Sequence, residues 1–319
     1  MIIMKKILSS KFIINYLIII LSILIFWGNF QNAEAKAKKF KVRKTRSSAS
    51  EASSAASVRV PKINSASAIA IDYDDSSIYF DKNAYQQRSI ASLTKMMAML
   101  VLSDIRFDPF TIYTIPRHHF RPCFKTRLRP GIQVTAMDLL HSALLGSDNV
   151  ATLCLVDISG LTQYEFVNRM NEYARKFNLR MTHFVDPTGI EPENVSTAYE
   201  VSMILKRAID TPMIYRIMNT KSYRLTPINN YNNIQYTNTN RLLQNPQRHT
   251  FGGKTGFISV AGYCLATANT LKSGKRTLMI FLGANGKLTR FGDASRLIDW
   301  LDSNVYKLSK SNGDYVRLP

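Results

Sequence analysis

Residues 67–80 read SAIAIDYDDSSIYF, and this stretch sets the architecture of the chain. Two apolar ends flank a turn of aspartates and serines, a pattern that predicts a β-hairpin. The pattern returns near the other end of the chain, where apolar runs at 260–270 and 277–283 flank a turn at 272–275. We therefore expect strands at both ends of the folded part.

The segment between these strands carries helix signals. Thr162 with Glu165 and Thr197 with Glu200 have the spacing of capping boxes, and an amphipathic stretch follows each pair. Further helices are predicted over 92–103, 136–145 after Thr135, and 291–308. Strands that enclose a helical middle predict an α/β fold, in which one central antiparallel sheet flanked by helices carries an inserted all-helical subdomain at about 104–210.

The first 35 residues have the features of an export signal. Three lysines precede an uncharged apolar run at 12–28, and Ala33-Glu34-Ala35 fits the small-x-small cleavage pattern. We predict a signal peptide at 1–35 and a protein of the periplasm or cell envelope. An uncleaved anchor is the alternative, although the run is short for a spanning helix of about 20 residues.

The formal net charge of +20 is concentrated near the N-terminus. Residues 36–62 hold nine Lys and Arg against one Glu, and the same stretch is rich in Ser and Ala. Such a composition predicts a disordered linker before a folded domain at 63–319. The linker is expected either to be solvated or to touch a membrane surface or an anionic wall polymer, and the export signal argues against nucleic acid as a partner.

The cysteines do not form a recognisable framework. The chain has three, Cys123, Cys154 and Cys264, without a C-x-x-C spacing for zinc or for thiol redox chemistry. Cys154 and Cys264 lie in apolar runs, so buried free thiols are predicted there.

A serine nucleophile needs a base within reach, and the five histidines do not provide a convincing set. Ser92-Leu93-Thr94-Lys95 offers a lysine instead. Residues three apart on a helix are neighbours, and the N-terminus of the predicted helix favours an alkoxide and a neutral lysine. The pattern occurs once in the chain. Ser92 is therefore the candidate nucleophile and Lys95 the candidate base.

Two further short patterns follow Ser92 in the chain. Ser147-Asp148-Asn149 comes 55 residues after Ser92, at the end of a predicted helix. Lys254-Thr255-Gly256 comes another 107 residues on, where glycines would let a substrate backbone lie alongside a strand. A rival Lys272-Ser273-Gly274 is better explained as a hairpin turn.

The order of the three patterns resembles that of the penicillin-recognising serine enzymes, whose motifs are Ser-x-x-Lys, Ser-x-Asn and Lys-Thr-Gly. Residues 88–97 (RSIASLTKMM), 184–198 (FVDPTGIEPENVSTA) and 252–262 (GGKTGFISVAG) narrow the resemblance to the low-molecular-mass D-alanyl-D-alanine carboxypeptidases and endopeptidases. The resemblance covers residues 63 to about 305 and implies a β-lactamase/transpeptidase-like fold.

The resemblance also implies a role for each motif residue. Lys95 would take the proton of Ser92, and Ser92 would attack the carbonyl of a D-alanine in a peptidoglycan stem peptide. The backbone amides of Ser92 and Phe257 would form the oxyanion hole. Ser147 and Lys254 would relay a proton, and Asn149 would orient the substrate and Lys95. Thr255 and Lys254 would bind the terminal carboxylate, on the strand that continues through Gly256. β-Lactam antibiotics would acylate Ser92 as covalent inhibitors, and no metal or cofactor is needed.

Three alternatives accompany the interpretation as an endopeptidase. The first is a carboxypeptidase of the same family. The chain continues only about 60 residues past Gly256, which is similar to the endopeptidase branch, whereas a carboxypeptidase of this family carries a further β-rich domain. A class A β-lactamase is a rival because 191–194 (EPEN) resembles the loop that supplies the deacylating Glu, with a Glu-to-Asn spacing of three in place of four. An inactive wall-binding protein would keep the fold without the chemistry.

Overall fold

The computed structural model describes residues 60–105, 107–308 and 316–318. In chain order the strands are Ser67–Asp72 (β1), Ile78–Lys82 (β2), Arg88–Ser89 (β3), Ile112–Thr114 (β4), Gln133–Thr135 (β5), Val195–Ser196 (β6), Ser222–Leu225 (β7), Ile234–Thr237 (β8), Thr250–Ile258 (β9), Gly262–Thr270 (β10), Arg276–Ala284 (β11) and Val316–Leu318 (β12). The α-helices are Thr94–Asp104 (α1), Ala136–Leu145 (α2), Asn149–Ile158 (α3), Gln163–Lys176 (α4), Ala198–Asp210 (α5), Pro212–Met218 (α6) and Thr289–Leu308 (α7).

One six-stranded sheet combines the two ends of the described chain, as predicted. Its strand order is β12-β2-β1-β11-β10-β9. The hairpin β1–β2 joins the C-terminal strands where β1 runs antiparallel to β11, with Ile69 opposite Ile280. The short β12 pairs with β2 in parallel, and the other pairs are antiparallel. Strand β9 is therefore an edge strand, and it carries the motif that begins at Lys254.

Both faces of the sheet are covered, and strand periodicity explains how. Side chains alternate between the faces of a strand, so Ile69 and Ile71 of β1 enter the larger core together with the helices, whereas Ala68 and Ala70 face the other side. That second core is closed by α7, whose Trp300 meets Phe80 edge-on at 6.4 Å between ring centroids. All six residues of β1 are buried, as a central strand covered on both faces requires.

The helices between β3 and β7 pack against the larger core together with a short ribbon, β4–β5, so the segment at about 104–210 is not all-helical as predicted but also contains strands. Helix α4 begins with the complete capping box that the sequence predicts at Thr162 and Glu165. The second predicted box is only half formed. Thr197 accepts a hydrogen bond from the Glu200 amide, but the Glu200 carboxylate turns to the Met181 amide and the Thr182 hydroxyl. A tertiary contact has replaced the local one, so that half of the prediction is wrong.

The turn at 272–275 joins β10 to β11, and the Leu271 amide donates across it to the Lys275 carbonyl at 2.8 Å. The hairpin interpretation of Lys272-Ser273-Gly274 is therefore confirmed. Cys154 and Cys264 are buried free thiols, as predicted, and Cys123 is an exposed one.

The predicted signal peptide and nearly all of the predicted linker lie outside the described residues. Within the described part of the chain, no helix is both long enough and apolar enough to cross a membrane.

Candidate active site

The start of α1 brings Ser92 and Lys95 together. A single 3₁₀ turn, Ala91–Leu93, leads into the helix, and Ala91 adopts a left-handed φ of 48° before it. Lys95 Nζ donates to Ser92 Oγ at 3.2 Å. The spacing predicted from the sequence therefore forms a direct contact. A non-glycine residue in left-handed backbone costs on the order of 1 kcal/mol and must be held by its surroundings, as is often found at functional sites.

Lys95 is fully buried, and its ammonium has two further acceptors. It donates to Asn149 Oδ1 at 2.7 Å and to the Thr188 carbonyl at 2.5 Å. Burial lowers the pKa of Lys95 to about 7, because the charged form loses its hydration, while the carboxylates of Asp186 and Asp148 partly oppose this shift. A substantial fraction of Lys95 is therefore neutral near pH 7, and a neutral amine can accept the Ser92 proton.

The Thr188 carbonyl is held in place by a network around Asp186. Asp186 Oδ1 accepts hydrogen bonds from the Thr188 amide at 2.6 Å and the Gly189 amide at 3.0 Å. Its other oxygen accepts from the side chain of Asn194, and Asn194 Oδ1 accepts from the Val185 amide at 2.9 Å. The segment 184–194 is thereby fixed over the start of α1, where it delivers one backbone acceptor to Lys95.

Gly189 is required where this segment meets Ala91. It has a φ of +80°, and a Cβ built on it would lie 2.1 Å from the Ala91 carbonyl oxygen. Any side chain would push the segment away from Ser92.

Ser147 lies in the tight connection between α2 and α3, and Asn149 is the first residue of α3. Ser147 has a left-handed φ of 59°, and the buried Asp148 caps α3 by accepting from the Ala151 amide at 3.1 Å. Burial raises the pKa of the Asp148 carboxyl, although its hydrogen bonds to backbone and hydroxyl groups act in the opposite direction. The cap fixes the turn, so that Ser147 and Asn149 point towards Lys254 and Lys95, respectively.

Lys254 reaches the site from the edge strand β9. Its Nζ donates to Ser147 Oγ at 2.7 Å and to the Thr255 carbonyl at 2.9 Å. Lys254 is fully buried, and burial together with the nearby Lys95 charge holds its pKa well below its usual range. Ser147 therefore forms a second serine–lysine pair across the site from Ser92 and Lys95.

Glycine lets β9 approach the candidate nucleophile. A Cβ on Gly256 would lie 3.0 Å from both the Ile90 carbonyl oxygen and the Ser92 amide nitrogen. The next residue, Phe257, has a half-exposed side chain stacked on Tyr263 at 4.2 Å. The arrangement brings the backbone of β9 close to the Ser92 amide, which is where the two expected oxyanion donors must converge.

An open cleft of about 1000 Å³ lies between these elements. Ser92, Ser147, Asn149 and Thr255 all line it. Its walls also carry several cationic side chains, namely Lys125, Arg241, Lys287 and Arg290. The cleft therefore offers a nucleophile, hydroxyl and amide groups, and a positive environment that complements carboxylate-bearing ligands.

Sequence reasoning missed several residues of the site. The Thr239 hydroxyl accepts a hydrogen bond from the Thr255 hydroxyl at 2.7 Å. Buried Arg290 of α7 donates to the Gly256 carbonyl at 2.7 Å and to the Cys264 carbonyl at 2.9 Å. Arg290 thus holds β9 and β10 beside the cleft. No sequence motif marks Thr239 or Arg290. Asp186 and Thr188 lie in residues 184–198, which carry the family resemblance, but they have no role assigned from the sequence.

Glu191, the residue behind the β-lactamase alternative, has an exposed side chain. Its backbone amide donates to Asp186 Oδ2 at 3.0 Å, so the residue helps to close the Asp186 network through its main chain.

Comparisons with known proteins agree with this fold and this arrangement of motifs. Residues 54–286 match the family model described as D-alanyl-D-alanine carboxypeptidase, peptidase S11, and the chain belongs to this family of serine-type peptidases. Both the predicted fold class and the family resemblance are thereby confirmed.

The chain is 30% identical to a D-alanyl-D-alanine endopeptidase of Escherichia coli K12 over 245 residues, which cover 76% of this chain and 79% of the relative. It is 32% identical to the D-alanyl-D-alanine carboxypeptidase DacD of the same organism, covering 78% of this chain and 66% of the relative. Among solved structures, penicillin binding protein 5 of Haemophilus influenzae matches with a TM-score of 0.68 at 29% identity, covering 76% of this chain and 72% of that one. The Streptomyces K15 DD-transpeptidase matches with a TM-score of 0.69 at 26% identity, covering 75% and 97%.

Proposed function

We propose that this chain hydrolyses D-alanyl peptide bonds of peptidoglycan through an acyl-enzyme on Ser92, and that it acts as an endopeptidase on cross-links. The observation that carries the proposal is the contact of 3.2 Å between Lys95 Nζ and Ser92 Oγ, with Lys95 fully buried. A buried lysine whose pKa is lowered to about 7 suits a general base for a serine hydroxyl.

The proposed reaction begins when neutral Lys95 accepts the proton of Ser92 and Ser92 Oγ bonds to the D-alanine carbonyl carbon. The oxyanion is stabilised by the Ser92 and Phe257 amides. As the peptide C–N bond breaks, the leaving amine takes the proton that Lys95 gained, passed on through Ser147, whose hydroxyl is hydrogen-bonded to Lys254 at 2.7 Å. Lys95 is then neutral again. A water molecule attacks the ester carbonyl carbon and gives a proton to Lys95, which returns it to Ser92 Oγ as the ester C–O bond breaks and the peptide acid is released.

Binding of the substrate is proposed to use the open edge of β9. An extended stem peptide would add to this edge as a further strand, with its carboxylate near Thr255 and its amide near Asn149. Stem peptides carry several carboxylates, and the cationic walls of the cleft around Lys125, Arg241 and Lys287 complement them. The size of the cleft, about 1000 Å³, accommodates more than a terminal dipeptide.

The endopeptidase proposal rests on the relatives named D-alanyl-D-alanine endopeptidase, in E. coli and in Pseudomonas aeruginosa, each 30% identical to this chain. A D-alanyl-D-alanine carboxypeptidase is the second candidate, because DacD is 32% identical. The exposed Glu191 disfavours a class A β-lactamase, and two intact serine–lysine pairs disfavour an inactive wall-binding protein.

Peptidoglycan lies outside the cytoplasm, so the proposal requires export to the periplasm or cell envelope. β-Lactam antibiotics are the expected covalent inhibitors. A peripheral contact of residues 36–62 with a membrane or an anionic wall polymer stays a prediction.

The test is incubation of the purified protein with cross-linked peptidoglycan dimers, followed by mass spectrometry of the products. Conversion of dimers to monomers supports the endopeptidase, and release of free D-alanine alone would assign a carboxypeptidase. Ser92→Ala should stop either reaction. Ser103→Ala is the matched control, because Ser103 lies on the same helix and its hydroxyl donates to the Leu100 carbonyl.

A further inference from the structure

A cluster of two histidines and one aspartate lies at the end of α3 opposite to Asn149. His118 and His119 belong to the 3₁₀ turn Arg117–His119, and Asp157 is near the C-terminus of α3. One possible ligand atom from each side chain lies within 4.8 Å of the other two. Thirty-eight residues separate His119 from Asp157, so the fold, and not the local sequence, brings them together.

The contacts within the cluster orient its groups towards one another. His119 Nε2 lies 2.6 Å from Asp157 Oδ2, and the Tyr113 hydroxyl donates to the same oxygen at 2.5 Å. The His118 and His119 rings are 4.2 Å apart. The side chain of His119 is 11% exposed and that of Asp157 is 34% exposed, so the cluster is both held in place and open to solvent.

We propose that His118, His119 and Asp157 bind one divalent transition-metal ion, with Zn²⁺ as the representative ion. Two imidazoles and one carboxylate are ligands that such an ion prefers, and water would complete a tetrahedral site. Zinc bonds of about 2.0–2.2 Å place neighbouring ligand atoms roughly 3.3–3.6 Å apart in tetrahedral geometry. His119 and Asp157 would separate by at most about an ångström, and the exposed His118 side chain would rotate inward.

The Tyr113 hydroxyl would serve as the outer partner of the site. A carboxylate ligand is commonly hydrogen-bonded by a second residue that fixes its orientation, and Tyr113 already occupies that position on Asp157. Tyr113 comes from the ribbon β4–β5, so three separate elements would meet at the ion.

The ion would connect the cleft wall to the helix that carries Asn149. The chain runs from His119 to Cys123 and Lys125, which both line the cleft, and the Asn149 amide donates to the Lys125 carbonyl at 3.1 Å. Asp157 is about 12 Å along α3 from Asn149, at 1.5 Å per residue. The ion is therefore too distant for chemistry at Ser92, and its role would be to stabilise this wall.

Zinc titration of the untagged full chain tests the proposal, by isothermal calorimetry and by thermal unfolding with and without Zn²⁺. We expect one saturable site and a rise in melting temperature, since an ion that binds only the folded state stabilises it. His119→Gln and Asp157→Asn should each weaken binding roughly 10–100-fold or more, and Tyr113→Phe about tenfold.

His249→Asn is the matched control, because His249 is exposed, lies outside the cluster and has a left-handed backbone that Asn tolerates. Cys123→Ser is the second control, and both variants should bind zinc like the parent chain. Circular dichroism without zinc identifies any variant that fails to fold. If one of His119→Gln and Asp157→Asn is unfolded, zinc binding by the other variant tests the proposal. Absence of saturable binding below millimolar zinc, or binding unchanged in both ligand variants, would overturn the proposal.

Discussion

The two serine–lysine pairs of the site have similar contacts but different origins. Ser92 and Lys95 are three residues apart on one helical start, whereas Ser147 and Lys254 are 107 residues apart and meet across the cleft. Lys95 has the carboxylates of Asp186 and Asp148 as counter-charges, while the charges that act on Lys254 are cations. Both lysines are fully buried. The difference suggests a division of labour, in which Lys95 gains and loses a proton near pH 7 and Lys254 polarises Ser147.

Of the variants that separate the two serine–lysine pairs, removal of Lys95 should have the largest effect on activity. Lys95→Met keeps most of the side-chain volume and removes the proposed base, so the rate of acylation by penicillin should fall roughly 10⁴-fold, the upper end for a general base. Stopped-flow acylation with a fluorescent penicillin measures it. A variant that retains a rate near that of the parent would exclude Lys95 as the base.

Removal of the second pair should cost less. Ser147→Ala and Lys254→Met should each reduce peptide hydrolysis roughly 10²-fold, the lower end for proton transfer. Because the two side chains are hydrogen-bonded and are proposed to act as one unit, the double variant should be little worse than either single variant. Steady-state kinetics on a cross-linked dimer measures all three, and strictly additive losses would show that the residues act independently.

Gly189→Ala tests the segment that supplies the Thr188 carbonyl to Lys95. Strained left-handed backbone and a close contact with Ala91 should together destabilise the fold by about 1–3 kcal/mol. Gly274→Ala is the control, since its φ of +83° is similar but a Cβ there meets open space. Thermal stability and penicillin acylation should both fall more in Gly189→Ala than in Gly274→Ala. Equal losses in the two variants would mean that the left-handed backbone alone causes the loss and that the contact with Ala91 adds nothing.

The smallest expected effect is a change in pH dependence. Because neutral Lys95 is the proposed base and its pKa is about 7, acylation should rise as pH increases through 7. The nearby Lys125 charge contributes to this lowered pKa, so Lys125→Met should move the rising limb to higher pH by less than about one unit. Lys287→Met removes an equal charge from the cleft wall and is the control. If the rising part of the pH profile moves equally in both variants, the shift reflects the overall positive charge of the cleft wall and not the position of Lys125.

The contrast between a local pair and a distant pair also explains which features could be predicted from the sequence. The hairpin at 67–80 and the spacing of Ser92 and Lys95 are local features, and both predictions match the structure. The other two motifs acquired meaning only from their order along the chain. Arg290 and Thr239 reach the cleft through tertiary packing, which leaves no periodic or motif signal in the sequence.

Local reasoning also failed where a distant group competed. The Glu200 carboxylate was expected to return to Thr197, but it binds Met181 and Thr182 instead. The predicted strand at 260–270 begins at Gly262, because 259–261 form the turn after β9, and β9 itself starts at Thr250.

The most direct test of the central claim is to locate the acyl group. The purified chain is incubated with benzylpenicillin, and its intact mass and peptic peptides are measured by mass spectrometry. We predict one adduct per chain, on the peptide that contains Ser92, and no adduct in Ser92→Ala, while Ser103→Ala is labelled like the parent. An adduct on a different residue, or undiminished labelling of Ser92→Ala, would contradict the assignment of Ser92 as the nucleophile.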